Sequence, residues 1–78
     1  MRILLIEDND TMREGMIQVL KKAGHHAIGA SSGKRGLDLI ADQQFDLIIS
    51  DYKMPGMDGL ELLKRIKKST PPTEIMLI

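Results

Sequence analysis

DLIISDYKMPGMDG, residues 46–59, is the segment on which the fold turns. Leu47, Ile48 and Ile49 run together without polar alternation, the pattern of a strand covered on both faces. The strand then delivers one carboxylate, Asp51, into a loop punctuated by Pro55, Gly56 and Gly59, after which the pattern turns helical. Open α/β sheets place their chemistry at the carboxyl ends of such strands. The same arrangement stands earlier in the chain, where ILLI at 3–6 is followed by Glu7 and Asp8.

Outward from that segment the chain alternates. The run 3–6 predicts a buried strand. Asn9, Asp10 and Thr11 are helix-capping types, and Glu14 stands three residues after Thr11, a capping-box spacing. A helix follows with Met12, Met16, Val19, Leu20 and Ala23 on its inner face; Lys21 and Lys22 suit its last turn and Gly24 ends it. Residues 25–30 read as a weak edge strand. Ser31-Ser32-Gly33 opens a second helix, with Leu37, Ile40 and Ala41 inward and an end near Gln43. The central strand at 46–50 comes next. A third helix is expected from Asp58 or Gly59 to Lys68, using Leu60, Leu62, Leu63 and Ile66, and Thr70-Pro71-Pro72 breaks it. Ile75 to Ile78 form a last buried strand. The order β-α-β-α-β-α-β with right-handed crossovers makes a parallel α/β sheet in a single domain, 1–78.

Composition narrows the function. A chain of 78 residues buries only about 60–65% of its unfolded surface, so its stability is marginal. There is no cysteine, hence no disulfide and no thiolate zinc site, in keeping with a reducing compartment. Eleven basic residues balance eleven acidic ones, which gives no electrostatic case for nucleic acid or an anionic membrane. Phe45 and Tyr52 are the only aromatics, too few for a base-stacking platform. The apolar runs fall far short of the ~20 residues a membrane crossing needs, and the N-terminus lacks a signal-peptide pattern. The expectation is a cytoplasmic protein.

If the first and third strands are neighbours, Glu7, Asp8 and Asp51 converge at one edge of the sheet. Crowded anions at neutral pH need raised pKa values or a cation. A hard divalent ion with oxygen ligands, Mg2+, is the natural guest, and it would orient a phosphoryl group for in-line attack by an Asp51 oxygen. The simpler alternative for Glu7 and Asp8 alone is solvation of a loop end. Other features carry less. His25 and His26 are adjacent on a strand and so face opposite ways. The methionines are flexible filling, with Met54 and Met57 candidates for a partner surface. Lys64, Arg65, Lys67 and Lys68 end a helix, where solvation and the dipole account for them. Ser31, Ser32 and Ser50 have no histidine–acid partner in register, and neither GxGxxG nor GxxxxGK[ST] occurs.

Taken together, ILLIEDND, the Gly24–Ala30–Gly33 spacing before Leu37, FDLIISD, and DYKMPGMDG running into LELLKRIK resemble the N-terminal part of a bacterial response-regulator receiver domain. The wording around Asp51 is most similar to receivers of the nitrogen-regulation type, ahead of sigma-54-activating ATPase domains. The resemblance implies a truncated flavodoxin-like fold: a parallel sheet of four strands in the order 2-1-3-4 with three helices, the fifth strand and last two helices absent. It implies a phospho-acceptor protein rather than an enzyme, active in a two-component phosphorelay and in transcription regulation. Asp51 falls on the phospho-acceptor, Asp8 on the direct Mg2+ ligand, Glu7 on the acid that reaches the metal through water, and Lys53 on the position whose backbone carbonyl ligates it. A histidine kinase is the implied donor and an output domain the implied partner. Gly36 stands where the family carries alanine, a helix-weakening change of roughly 1 kcal/mol.

The family's phosphoryl-contacting hydroxyl and lysine have no counterpart up to Ile78, so impaired phosphotransfer is expected of this short form. The 75–78 strand is expected to be an open apolar edge beside an exposed sheet face. Self-association into a homodimer or higher oligomer through them is the corresponding expectation. Two other readings of function stand beside phosphotransfer. One is a truncated, non-catalytic binding module that self-associates and turns over no phosphate. The other is a haloacid-dehalogenase-like phosphatase, set aside because that class needs a second acid two residues after the nucleophile, where Lys53 stands.

Overall fold

The computed structural model of the chain describes residues 1–51, 53, 54, 57, 58, 64 and 73–78. The strands of the main sheet are β1 (Arg2–Ile6), β2 (His26–Ala30), β3 (Leu47–Ser50) and β6 (Glu74–Leu77), all parallel, in the order β2-β1-β3-β6. Counting these four strands alone, that is the 2-1-3-4 order of the flavodoxin-like fold. Helices α1 (Asp10–Lys22) and α2 (Gly33–Asp42) make the first two crossovers. Of the third expected helix, Asp58 falls instead in a short strand and Lys64 is helical; its other residues lie outside the described ones.

Strand pleating divides the core into two layers. Ile3, Leu5 and Ile49 face α1, where Met16, Ile17 and Leu20 pack on them. Leu4, Ile6, Ala30, Phe45 and Ile48 face α2 and meet Leu37, Leu39 and Ile40. β1 and β3 sit at the centre, so both faces of each must be apolar; the uninterrupted runs in the sequence follow from that. β2, poor in β-branched residues, lies at the edge as expected. At the opposite end of the sheet from Glu7, the Arg2 backbone N–H donates to Asp46 Oδ2 at 2.7 Å and its guanidinium lies 5.8 Å from the centre of the Phe45 ring.

The helix ends differ from expectation at one point. α1 is capped by Asn9, whose side chain accepts from the Met12 N–H at 2.9 Å, so the helix begins two residues before the Thr11–Glu14 box would start it. Its other end closes as a Schellman turn: Gly24 (φ 93°) donates to Lys21 and His25 to Leu20. Ser32 caps α2 by accepting from the Arg35 N–H at 3.1 Å.

The inner faces also shift. Met16 and Leu20 of α1 point inward, but Met12, Val19 and Ala23 are exposed, and Arg13 and Ile17 take the inner positions. An arginine supplies apolar cover with its stem while its head stays polar, which a count of apolar residues does not register. In α2, Leu39 packs against the core and Ala41 is exposed. The loop after Asp51 holds a short antiparallel pair, β4 (Lys53–Met54) with β5 (Met57–Asp58), where only a loop was expected. β6 begins one residue earlier than the apolar run suggests. It pairs with β3 on one side and with no other described strand on its far side; Met76, whose register partner Ile49 faces α1, is half exposed, as is Ile78.

Gly36 is not a blemish in α2. It is buried, and a Cβ built there would meet Ile6 Cδ1 and lie 2.9 Å from Ile6 Cγ1. Ile6 is fully buried and has nowhere to withdraw. Gly36→Ala is therefore expected to destabilise the fold by about 1 kcal/mol net, overpacking of ~1–3 kcal/mol outweighing a helix-propensity gain of ~1 kcal/mol. In an Ile6→Val background, which removes Cδ1 but keeps the Cγ atom 2.9 Å away, the same substitution should cost less. Urea unfolding of the four proteins checks this, and equal effects in both backgrounds would contradict it.

Candidate metal and phospho-acceptor site

The site forms because β1 and β3 are parallel neighbours in register. Ile6 pairs with Ser50, so the next residue of each strand, Glu7 and Asp51, leaves the sheet at the same edge. The Asp51 N–H donates to the Ile6 carbonyl at 3.2 Å and the Glu7 N–H to the Ala30 carbonyl at 3.0 Å, which fixes both exits to the ladder. Asp8 follows Glu7 in the turn leading to the Asn9 cap. Each of the three residues offers a carboxylate oxygen, and these oxygens lie within 4.8 Å of one another. The three acids singled out from the sequence thus come together at one point.

Their surroundings are graded. Glu7 is 3% exposed, Asp51 half-buried and Asp8 exposed, so the cluster is a cup with a buried floor and an open rim. Burial pushes the Glu7 carboxyl above its ordinary range, and the charges of Asp51 and Asp8, with a side-chain hydrogen bond to Asp51, push the same way; the Asn9 backbone N–H, 3.4 Å from Glu7 Oε1, partly opposes them. Ser50, fully buried, donates its hydroxyl to the Asp51 carbonyl at 3.1 Å. Lys53 lies in β4, two residues beyond Asp51.

Three carboxylates at this spacing fit a small hard cation. Few protein ligands and an open rim suit Mg2+, which keeps several of its waters, better than an ion seeking a full protein cage. One neighbour of the cup escaped the sequence reading. Arg13 donates from Nη1 to the Glu7 carbonyl oxygen at 2.8 Å and pairs through Nη2 with Asp10. The only trace of it in the sequence is the three-residue spacing of Asp10 and Arg13 on a helix.

Residues 3–78 match the family described as response regulator receiver domain. The chain belongs to that family. It is a receiver domain of two-component response regulators. Among its relatives, the response regulator receiver protein CpdR of Brucella abortus (strain 2308) is 38% identical over 77 residues, which are 99% of this chain and 64% of that protein. Sporulation initiation phosphotransferase F of Bacillus subtilis (strain 168) is 38% identical over 66 residues, 85% of this chain and 53% of that one. Among solved structures, the receiver TrrA of Thermotoga maritima, crystallised in complex with Mg2+–BeF, superposes with a TM-score of 0.91 at 33% identity, covering 97% of this receiver and 66% of that chain. A Clostridium thermocellum receiver reaches 0.92 at 32% identity, covering 97% of this one and 62% of the other. This receiver therefore spans about two-thirds or less of these relatives. Other relatives are named as transcriptional regulatory proteins, and the names together do not single out the nitrogen-regulation subtype. Among the described residues no helix is long and apolar enough to cross a membrane.

Proposed function

We propose that Asp51 is the phospho-acceptor of a two-component phosphorelay, with Mg2+ held by Asp8, Asp51 and the Lys53 carbonyl, and with Glu7 reaching it through water. The observation that carries the reading is the meeting of three carboxylates at the ends of adjacent central strands. The Mg2+–BeF complex of the similar TrrA receiver supports it.

In this scheme an Asp51 carboxylate oxygen attacks the phosphorus of a histidine-kinase phosphohistidine. The P–N bond breaks, the imidazole leaves with the electron pair, and an acyl phosphate remains on Asp51. A bound Mg2+ supplies charge neutralisation for the incoming phosphoryl oxygens. Asp51, half-buried and tied by its N–H to β1, presents its oxygen without reorganising the backbone. Asp8 at the exposed rim and Glu7 at the floor supply the remaining negative charge. The modified loop then signals to an output domain, in transcription control of the kind named for some of the relatives.

A second reading, a non-catalytic module that self-associates, is favoured by one observation: β6 has no described strand on its far side, and Met76 and Ile78 are half exposed. One experiment separates the two. The chain is incubated with acetyl phosphate and Mg2+ and its intact mass is measured. A phosphoryl adduct that disappears in Asp51→Asn is the expected result; Mg2+ binding without any adduct would favour the second reading.

A further inference from the structure

We infer that Arg13 is a positioning residue for the acidic cup, and that Gly29 on the neighbouring strand is what admits it. The inference rests on the Mg2+ reading above. The segment Glu7–Asp8–Asn9 carries two of the three acids, yet it lies past the last paired residue of β1, Ile6. There the Glu7 carbonyl has left the ladder, and a buried carbonyl without a donor is costly. Arg13, one turn into α1, donates Nη1 to that oxygen at 2.8 Å. Its Nη2 is held by Asp10, so the planar fork is aimed from both ends. The Arg13 side chain is 16% exposed while that of Asp10 is 84% exposed, which places the arginine under the turn and the aspartate outside it.

The stem of Arg13 reaches this position by crossing β2 at Gly29. A Cβ at residue 29 would lie 3.0 Å from Arg13 Cδ, 3.1 Å from its Cγ and 2.6 Å from Ile17 Cδ1. A side chain at 29 would press on the end of Ile17 and on the Arg13 stem, and both would have to shift. The orientation of the Glu7–Asp8 peptide decides where the Asp8 carboxylate points, so the clamp on its carbonyl sets the rim of the cup. It acts through the ligands and touches neither the cation nor the phosphoryl group, as outer-shell partners of metal sites do.

The test is the Mg2+ affinity of the 78-residue chain by titration calorimetry, on proteins shown to be folded by circular dichroism. Arg13→Ala should weaken binding about tenfold, the range for loss of such a partner, and Arg13→Lys, with one donor and the charge retained, should recover part of it. Gly29→Ala should weaken binding in the parent chain and add less in Arg13→Ala, where only its contact with Ile17 remains. The 13C shift of the Glu7 carbonyl reports the hydrogen bond directly without metal and should move in Arg13→Ala and Gly29→Ala alike. A folded Arg13→Ala with parental affinity overturns the inference, as does an equal Gly29→Ala penalty in both backgrounds. If the parent chain binds no Mg2+, the functional reading falls and this one with it.

Discussion

Replacing Ile48 by alanine is expected to cost roughly 2–5 kcal/mol, the range for emptying a fully buried aliphatic site. Ile48 is 0% exposed, sits on the central strand β3 between Leu4 and Ile75, and packs in the layer with Ile6, Ala30 and Phe45. At ~0.05–0.15 kcal/mol per residue a domain of this size holds about 4–12 kcal/mol in total, so the loss is a large part of the whole. Urea unfolding followed by far-UV circular dichroism measures it. Val19→Ala is the matched control: Val19 is 66% exposed on α1, and its truncation should stay within about 0.5 kcal/mol. A sequence reading that places Val19 inward expects the two substitutions to resemble each other. Comparable losses would reject the helix phase described above.

The second large effect is the response to Mg2+ and its reversal with pH. Mg2+ at a hundred times its dissociation constant should stabilise the chain by about 2.7 kcal/mol at neutral pH, provided the unfolded chain does not bind it. With a urea m-value of order 1 kcal/mol/M, the midpoint should move by ~2 M or more. EDTA should reverse the gain, and Asp8→Ala and Asp51→Asn should reduce it.

The metal-free chain should show the opposite slope. The Glu7 carboxyl is raised above its ordinary 4.5, chiefly by burial, so the folded state holds a proton more tightly than the unfolded state does. Between the unfolded and folded values, stability from this group therefore falls as pH rises, and it is recovered on acidification toward 4.5. Protons and Mg2+ compete for the same cup, so the Mg2+ gain should shrink over the same window. Glu7→Gln should flatten the metal-free profile, raise metal-free stability at neutral pH and blunt the Mg2+ response. A midpoint that Mg2+ leaves unmoved at neutral pH would remove the basis for a metal in this cup.

The sequence exposes the sheet more fully than the helices, for a physical reason. Central parallel strands bury both faces, so ILLI and LII announce themselves as runs, and the acids that end them are conspicuous by contrast. From there the convergence of Glu7, Asp8 and Asp51 needs only β1 beside β3. Helix phase is harder, because Arg13 buries its stem and holds an inner position that an apolar count awards to Met12 or Val19. Gly36 looks like a weakness along the chain and becomes a packing requirement only when Ile6 lies across it. The β4–β5 pair was hidden by Pro55 and Gly56, which mark a loop without saying that its flanks pair.

The all-parallel pairing of the main sheet also bears on how the chain reaches its native state. Arg2 must find His26, and Ile3 must find Leu47, before either ladder on β1 exists. No tight hairpin within that sheet can nucleate it, and each ladder needs a whole crossover closed first. Assembly is accordingly dominated by contacts distant in sequence, which makes for a late, cooperative collapse and slow folding kinetics. The two acidic strand ends are driven together in that same event, so a cation present in the refolding buffer meets its ligands only once the central strands have docked.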